Sequence, residues 1–280
     1  MRLAAIDLDG TLLRSDGTIS PRTKAAARRA LDAGVELVLV TARGPRTVGE
    51  LAGELGIRGE AICSNGAIVL DLETGRILRL REIETAVALE LVHGLRERLP
   101  GILFAVEREA FAHEPGFAAW DFVPPAGTPV ASAEELLDRP PTKLILRHAG
   151  HEVDAIAAVA RELAGRRASV SVSGDWVVEV SPAGVNKAAA LAELCDGLGI
   201  AAAEVVAFGD QRNDVPMLSW AGRGVAVANA HPEVIEIADE VTLSNDEDGV
   251  ALVLERLTAR RAGTRGARAA ERGSSGGAWS

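Results

Sequence analysis

Over residues 3–63 short aliphatic runs alternate with helical patterns, and this alternation limits the chain to few architectures. Leu3-Ala4-Ala5-Ile6 runs into a polar loop, and Ser20-Pro21 then opens a helix, with serine at the N-cap and proline at the first helical position. The helical pattern reaches Leu31 and stops at Gly34; the run 35–40 follows, then Thr41-Ala42-Arg43-Gly44 and a helix expected from Pro45 to Leu55, closed by Gly56. Ala61-Ile62-Cys63 reads as a third strand ending at Ser64-Asn65-Gly66. Strand–helix–strand–helix order predicts an α/β fold with a parallel sheet and right-handed crossovers. In such sheets ligands bind outside the carboxyl ends of the strands.

The pattern changes along the chain. Runs 67–71 and 76–81 around Glu73-Thr74-Gly75 predict a hairpin. From Glu82 a helix (84–98), a strand (102–107), a proline-rich stretch, a capping box at Ser132-Ala133-Glu134-Glu135, a strand (142–147), a helix (151–164) and paired strands (168–173, 176–181, turning at Gly174-Asp175) form a mixed segment. Residues 82–182 read as an α+β unit inserted into an α/β domain made of 1–81 and 183–258, the crossings near 82 and 183 acting as a hinge. Helix 186–197, strand 204–208, helix 213–220, strand 223–227 and helix 247–258 complete the first domain. Residues 259–280 are Arg, Ala, Gly and Ser without apolar periodicity and read as a disordered tail.

The chemistry sits where the runs end. Asp7-Leu8-Asp9-Gly10-Thr11-Leu12-Leu13 follows the first, and its two carboxylates share a face in an extended chain. Like charges so placed repel unless a cation or a shared proton holds them, so the pair reads as nucleophile and acid/base partner or as half of a Mg²⁺ site. Thr41-Ala42-Arg43-Gly44 ends the second run, Asn186-Lys187 starts a helical pattern, and Gly209-Asp210-Gln211-Arg212-Asn213-Asp214 follows Val205-Val206-Ala207-Phe208. A lone Asp-x-Asp is an ordinary acidic turn, a threonine after a strand an ordinary cap, and acids at a helix start are favoured by its dipole. The four segments together, in this order, are not accounted for by those readings.

This ordered set resembles the haloacid dehalogenase-like superfamily, specifically its Cof-type phosphatases with a type IIB cap, over roughly residues 1–258. The resemblance implies a Rossmann-like parallel-sheet core carrying an inserted α+β cap, and a Mg²⁺-dependent phosphomonoester hydrolase. It implies that Asp7 attacks phosphorus to give an aspartyl-phosphate. Asp9 protonates the leaving oxygen, then deprotonates water, and lends its backbone carbonyl to the metal. Asp210 is the second carboxylate ligand, with Asn213 and Asp214 coordinating directly or through water. Thr41 offers its hydroxyl and backbone N–H donors at a helix N-terminus, and Lys187 neutralises the phosphoryl group and orients Asp7. Ala42, Arg43, Asn65, Gly66, Lys187 and Asn213 complete the expected substrate contacts. Many relatives have glycine where this chain has Ala42 and Ala188, a small change in backbone approach. Asn65-Gly66 either faces the leaving group or is a plain turn. Glu179 and Asn186 are placed to reach substrate from the cap side; His113, His148, His151 and Trp120 read as packing or surface.

Composition narrows the partners. A formal charge of −10 over 280 residues opposes general nucleic-acid binding, leaving a small phosphorylated metabolite bound where metal and local cations invert the field. No apolar stretch approaches the roughly 18 residues of a membrane helix, and no signal-peptide pattern is read. Cys63 and Cys195 lack metal-ligand spacing, and a reducing cytoplasm is expected. Two other functions share these motifs: a phosphotransferase or phosphosugar mutase, and a non-catalytic phospho-acceptor domain like a response-regulator receiver. Asp9 and the large insertion argue against the receiver.

Overall fold

The computed structural model describes residues 1–108, 110–118, 124, 126–174 and 177–259. Trp120, Asp175 at the 174–175 turn, and all of the tail beyond 259 lie outside the described residues.

In chain order, β1 (Leu3–Ile6), α1 (Pro21–Asp32), β2 (Glu36–Leu39) and α2 (Val48–Leu55) alternate, followed by β3 (Glu60–Cys63), β4 (Ile68–Asp71) and β5 (Ile77–Leu80). Next come α3 (Thr85–Arg98), β6 (Leu103–Glu107), β7 (Phe111–His113), α4 (Ala133–Leu136), β8 (Lys143–Arg147), α5 (Val153–Ala164), β9 (Ala168–Val172) and β10 (Val178–Pro182). Then α6 (Lys187–Leu198), β11 (Val205–Gly209), α7 (Val215–Trp220), β12 (Arg223–Ala226), α8 (Pro232–Ile237) and β13 (Glu240–Val241) follow, with a last helix α9 over 249–259.

The first sheet is parallel throughout, in the order β13-β12-β11-β1-β2. β1 is fully buried, which is why its sequence is an unbroken aliphatic run. From β1 the chain moves outward to β2 on one side, while β11 leads outward to β12 on the other. The crevice at the carboxyl ends of β1 and β11 is therefore a topological switch point.

Two expectations change. The third strand does not simply extend the parallel sheet. β3 touches the end of β2 through a single parallel bridge, Val40 to Ile62, and otherwise pairs antiparallel with β4, itself paired with β5. The helix after β2 begins at Val48 and not at Pro45, where residues 45–47 form a turn with Val48 N donating to Pro45 O; the loop before it is tied to the next one, Ser64 N donating to Arg43 O and Asn65 N to Thr41 O.

Residues 103–182 build a second, antiparallel five-stranded sheet in the order β7-β6-β8-β10-β9. Its own apolar core lies on one face, where Phe104, Val106, Leu144, Leu146, Val178 and Val180 pack with residues of α3 and α5. Period-two alternation sends Glu107, Lys143, Ile145, Arg147, Glu179 and Ser181 to the opposite face. That polar face turns toward the loops at the ends of β2 and β3, as the hydrogen bonds below record.

Candidate active site

Asp7 leaves β1 in extended conformation and is followed by one wide turn, Leu8–Leu12, closed by Leu13 N donating to Leu8 O at 2.9 Å. Gly10 sits in that turn at φ +75°, and a Cβ there would collide with the Asp210 carboxylate. Glycine is needed for the backbone and for the close approach of the acid. The Asp210 carboxylate accepts a hydrogen bond from Thr11 Oγ1 at 2.8 Å.

Lys187, the first residue of α6, is buried and reaches both ends of the site. Its Nζ lies 2.6 Å from Asp7 Oδ1 and 2.6 Å from Asp214 Oδ1. Asn186 is the N-cap of α6, its Oδ1 accepting from Ala189 N. Gly66 packs on this helix start at φ +101°; a Cβ there would lie 2.6 Å from Asn186 O. Asp214 Oδ2 accepts from the N–H groups of Asp210 and Gln211, so both its oxygens are engaged.

Asp7, Asp210 and Asp214 bring carboxylate oxygens within 4.8 Å of one another. Three buried acids face one buried ammonium, and the charge excess shows in their proton affinities. Burial raises Asp7 well above the ordinary carboxylate range; Lys187 opposes this, while Asp214 and Asp210 add to it. Burial and then Asp214 push Asp210 up to about 6, against the Thr11 hydrogen bond and Lys187. Burial alone would depress the Lys187 ammonium, but Asp214 and Asp7 outweigh it and hold it above its usual range.

A doubly negative excess made of hard oxygen donors fits a divalent cation such as Mg²⁺. Asp7 and Asp210 also hydrogen-bond each other, so a cation between them would replace a shared proton. Asp214, with both oxygens engaged, fixes Lys187 and the loop.

Asp9 stands apart from this cluster. Its exposed carboxylate is clasped bidentately by Arg43, Nε to Oδ2 at 2.7 Å and Nη2 to Oδ1 at 2.5 Å. Asp7, Asp9, Ala42, Lys187, Asp210 and Asn213 nevertheless line one cavity of about 370 Å³, with Ser173 and Gly174 entering it from the antiparallel sheet. Thr41 is fully buried, its hydroxyl accepting from Arg43 N at 3.0 Å. The backbone donor expected of Thr41 at a helix N-terminus is not there: its N–H is given to Ile62 O, and α2 starts seven residues later.

The antiparallel sheet supplies residues that the motifs did not flag. Lys143 Nζ donates to Ala42 O at 2.8 Å and to Glu179 Oε1 at 2.6 Å, with Glu107 Oε2 at 3.5 Å. Asn65, buried at φ +55°, donates its amide to Glu179 Oε2 at 2.7 Å, and Ser64 donates to Glu107. Asn213 Nδ2 donates to Asn65 Oδ1 at 3.1 Å and to Ser173 Oγ at 3.4 Å. Thr11 and Gly10 were visible beside Asp9 but carried no role in the sequence reading. Lys143 had a signal too, as a charge inside an otherwise aliphatic strand; Glu179, expected to reach substrate from the cap side, instead spends both oxygens on Lys143, Asn65 and Ser173. Cys63 and Cys195 are unpaired and buried; burial pushes their thiols up to about 12 and about 11.

Residues 4–254 match the family model of haloacid dehalogenase-like hydrolases. The chain is 32% identical over 255 residues to 5-amino-6-(5-phospho-D-ribitylamino)uracil phosphatase YcsE of Bacillus subtilis, covering 90% of this chain and 93% of that one. It is 31% identical over 252 residues to a putative phosphatase of Haemophilus influenzae, covering 89% and 95%. Among solved structures, a haloacid dehalogenase-like hydrolase from B. subtilis superposes with a TM-score of 0.78 at 28% identity, covering 92% of this chain and all of that one. The chain belongs to the haloacid dehalogenase-like hydrolases, among their Cof-type members, and is a phosphomonoester hydrolase.

Proposed function

We propose that this enzyme is a Mg²⁺-dependent phosphatase that hydrolyses a small phosphate monoester, such as a sugar phosphate or a nucleotide-related cofactor, through an aspartyl-phosphate on Asp7. The observation that carries the reading is the cluster of Asp7, Lys187, Asp210 and Asp214, drawn from three distant segments into a cavity shared with Asp9.

Asp7 attacks phosphorus and forms a labile mixed anhydride, with Lys187 opposing the burial that holds a proton on its carboxyl. Lys187 holds the nucleophile in place through Asp7 Oδ1 and neutralises the phosphoryl group. Asp9, clasped by Arg43 at the cavity rim, serves as acid only once it leaves that clasp and carries a proton; it then gives the proton to the leaving alkoxide and regains one from the attacking water. Thr41, its hydroxyl accepting from Arg43 N, fixes the loop that carries Ala42 into the cavity. Mg²⁺, held by Asp7 and Asp210 with Asn213 in reach through water, would supply the charge neutralisation that lets an anion approach an anion.

Residues 82–182 act as a cap over this site in the reading proposed here. Support comes from an adjoining cavity of about 620 Å³, which shares Asn65, Lys187 and Asn213 with the site and is lined by Ser169, Ser171 and Ser181 of the antiparallel sheet. Its lining mixes these hydroxyls with Arg161, Arg212, Asp154 and Glu233 and with valines, a set that suits a polar leaving group. Buried free thiols agree with a reducing, cytoplasmic setting.

The test is inorganic phosphate release from a panel of phosphorylated metabolites, with Mg²⁺ and with chelator, for the wild type and Asp7→Asn. Release that survives chelation or the Asp7 change sinks the mechanism. Phosphate moved within a sugar, without release, makes the enzyme a phosphotransferase.

A further inference from the structure

The buried charges of the antiparallel sheet are not needed to hold that sheet together. Glu107, Lys143 and Glu179 lie on the face opposite its apolar core, and their outward bonds go to loops of the parallel-sheet half: Ser64, Ala42 and Asn65. Lys143 and Glu179 are each 4% exposed or less. Burying an ion pair seldom adds stability over apolar side chains of similar volume, so such a pair invites a question about specificity.

The bonds give an answer. Glu179 Oε1 takes the Lys143 ammonium, while Oε2 accepts from Asn65 Nδ2 and from Ser173 Oγ. Asn65 Oδ1 and Ser173 Oγ are in turn the two acceptors for Asn213 Nδ2. Both paths from Glu179 converge on one amide group. Among the described residues that amide's oxygen is buried without a hydrogen-bond partner, and Asn213 lines the Asp7 cavity as well as the adjoining one. A carboxylate can only accept, so it fixes which end of Asn65 faces it; Asn65 then presents its oxygen to Asn213, which must present its nitrogen back. The chain of donors therefore settles the amide orientation and leaves the Asn213 oxygen for the site. The charges around this pair agree: burial alone would raise Glu179, but Lys143 overrides it and keeps the acceptor ionised.

We propose that Glu179, clamped by Lys143, is a positioning residue that orients the Asn213 amide through Asn65 and Ser173, so that the site is complete only while the antiparallel sheet is seated on it. The proposal rests on the phosphatase reading above and adds a coupling between the seating of that sheet and the geometry of Asn213. Glu179→Gln is the informative change. A glutamine can present either end to Asn65, so orientation is lost while volume is kept, and Lys143 retains Glu107 as a counter-ion.

The experiment is a double-mutant cycle on the full chain with p-nitrophenyl phosphate and Mg²⁺, using wild type, Glu179→Gln, Asn213→Ala and the double variant. Acting through Asn213, Glu179→Gln lowers kcat about tenfold with KM nearly unchanged, and by no more than about twofold once Asn213 is alanine. Additive losses, or a rise in KM alone, overturn the proposal. A second readout needs no activity: the chain has five asparagines, so ¹⁵N-asparagine labelling resolves each side-chain amide by NMR. Glu179→Gln should move the Asn65 and Asn213 signals and leave those of Asn229 and Asn245 in place; an unmoved Asn213 signal overturns the positioning role. Should Glu179→Gln not fold, Ser173→Ala takes its place, since it breaks one path and strands no charge. Wild type that releases no phosphate from any ester removes the phosphatase reading itself, a result distinct from the NMR outcome.

Discussion

Adding Mg²⁺ should stabilise this protein far more at neutral pH than in mild acid, and the structure sets the size of the difference. Burial and Asp214 push Asp210 from the usual 3.8 up to about 6 in the metal-free protein, and Asp7 is raised in the same direction. A carboxyl whose folded-state pKa is raised binds its proton more tightly folded than unfolded. Its contribution to stability is thus complete below about pH 4 and is lost as pH rises through about 6. The metal-free fold is strained by its own charge at neutral pH, which is the condition a cation relieves. In acid, Mg²⁺ must displace the proton on Asp210 before it binds. Between about pH 7.5 and about pH 4.5 this competition alone weakens binding roughly 30-fold, or ~2 kcal/mol. At fixed Mg²⁺ the thermal shift should therefore shrink by roughly 4–8 °C over that range, at about 2–4 °C per kcal/mol for a chain of this size. Differential scanning fluorimetry with and without Mg²⁺ across the pH series reads it directly, and Asp210→Asn should flatten the pH dependence along with most of the shift. Equal Mg²⁺ shifts at both ends of the range, or none at neutral pH, would refute the view that this acidic cluster is a metal site.

Three further outcomes follow from the same geometry. Asp7→Asn should abolish turnover and leave the fold intact or firmer, since the amide is isosteric and removes one of three crowded negative charges; single-turnover phosphate release together with a melting curve checks both halves. Asp9→Asn should cost far more with alkyl phosphates, whose leaving groups need a proton, than with p-nitrophenyl phosphate, and equal losses in single-turnover phosphorylation would argue against the acid role. Gly10→Ala forces a side chain into φ +75° and into the Asp210 carboxylate, so it should lower both stability, by about 1 kcal/mol or more, and Mg²⁺ affinity; calorimetric Mg²⁺ titration unchanged from wild type would show that the turn yields more readily than its contacts imply.

The strands that carry the chemistry were legible because they are fully buried and therefore unbroken aliphatic runs: Leu3–Ile6 and Val205–Gly209 announce themselves, and so do the acids at their ends. Helices with explicit punctuation were legible for the same local reason, as with Ser20 capping α1 and Gly56 closing α2 in left-handed conformation. What was not legible depends on partners far away in the chain. Loop 41–43 is held by loop 64–65, a tie that no local signal reveals. The short strands β7 and β13 and the helix α8 lacked enough periodicity to be read. Asp214 illustrates the limit within the site: sequence places it among carboxylates that could bind metal, and the structure keeps it in that acidic group, but the bonds it takes from two backbone N–H groups and Lys187 are set by residues no local signal reveals. The polar face of the antiparallel sheet was written in the alternation of β8 and β10, but only the facing loops show what those charges meet.

Those facing loops also bear on how separable the two halves are. A lid that merely covers a finished site can be removed with loss of specificity alone. Here the Ala42 carbonyl takes the Lys143 ammonium, and Ser64 and Asn65, both at positive φ, are bonded to Glu107 and Glu179. Arg212, inside the loop that carries Asp210 and Asp214, pairs with Asp154 of α5. Positive φ at non-glycine residues persists where surrounding bonds over-determine it. The conformations of loops 41–43, 64–66 and 210–214 are thus partly set from the antiparallel side. Were the halves to open, the site's own geometry would change with them, and substrate selection and assembly of the phosphoryl-transfer centre would be one event. Evolution of new specificity on this sheet would be confined to positions such as Ser169, Ser171 and Ser181, which line the adjoining cavity without sharing in the Lys143–Glu179 joint.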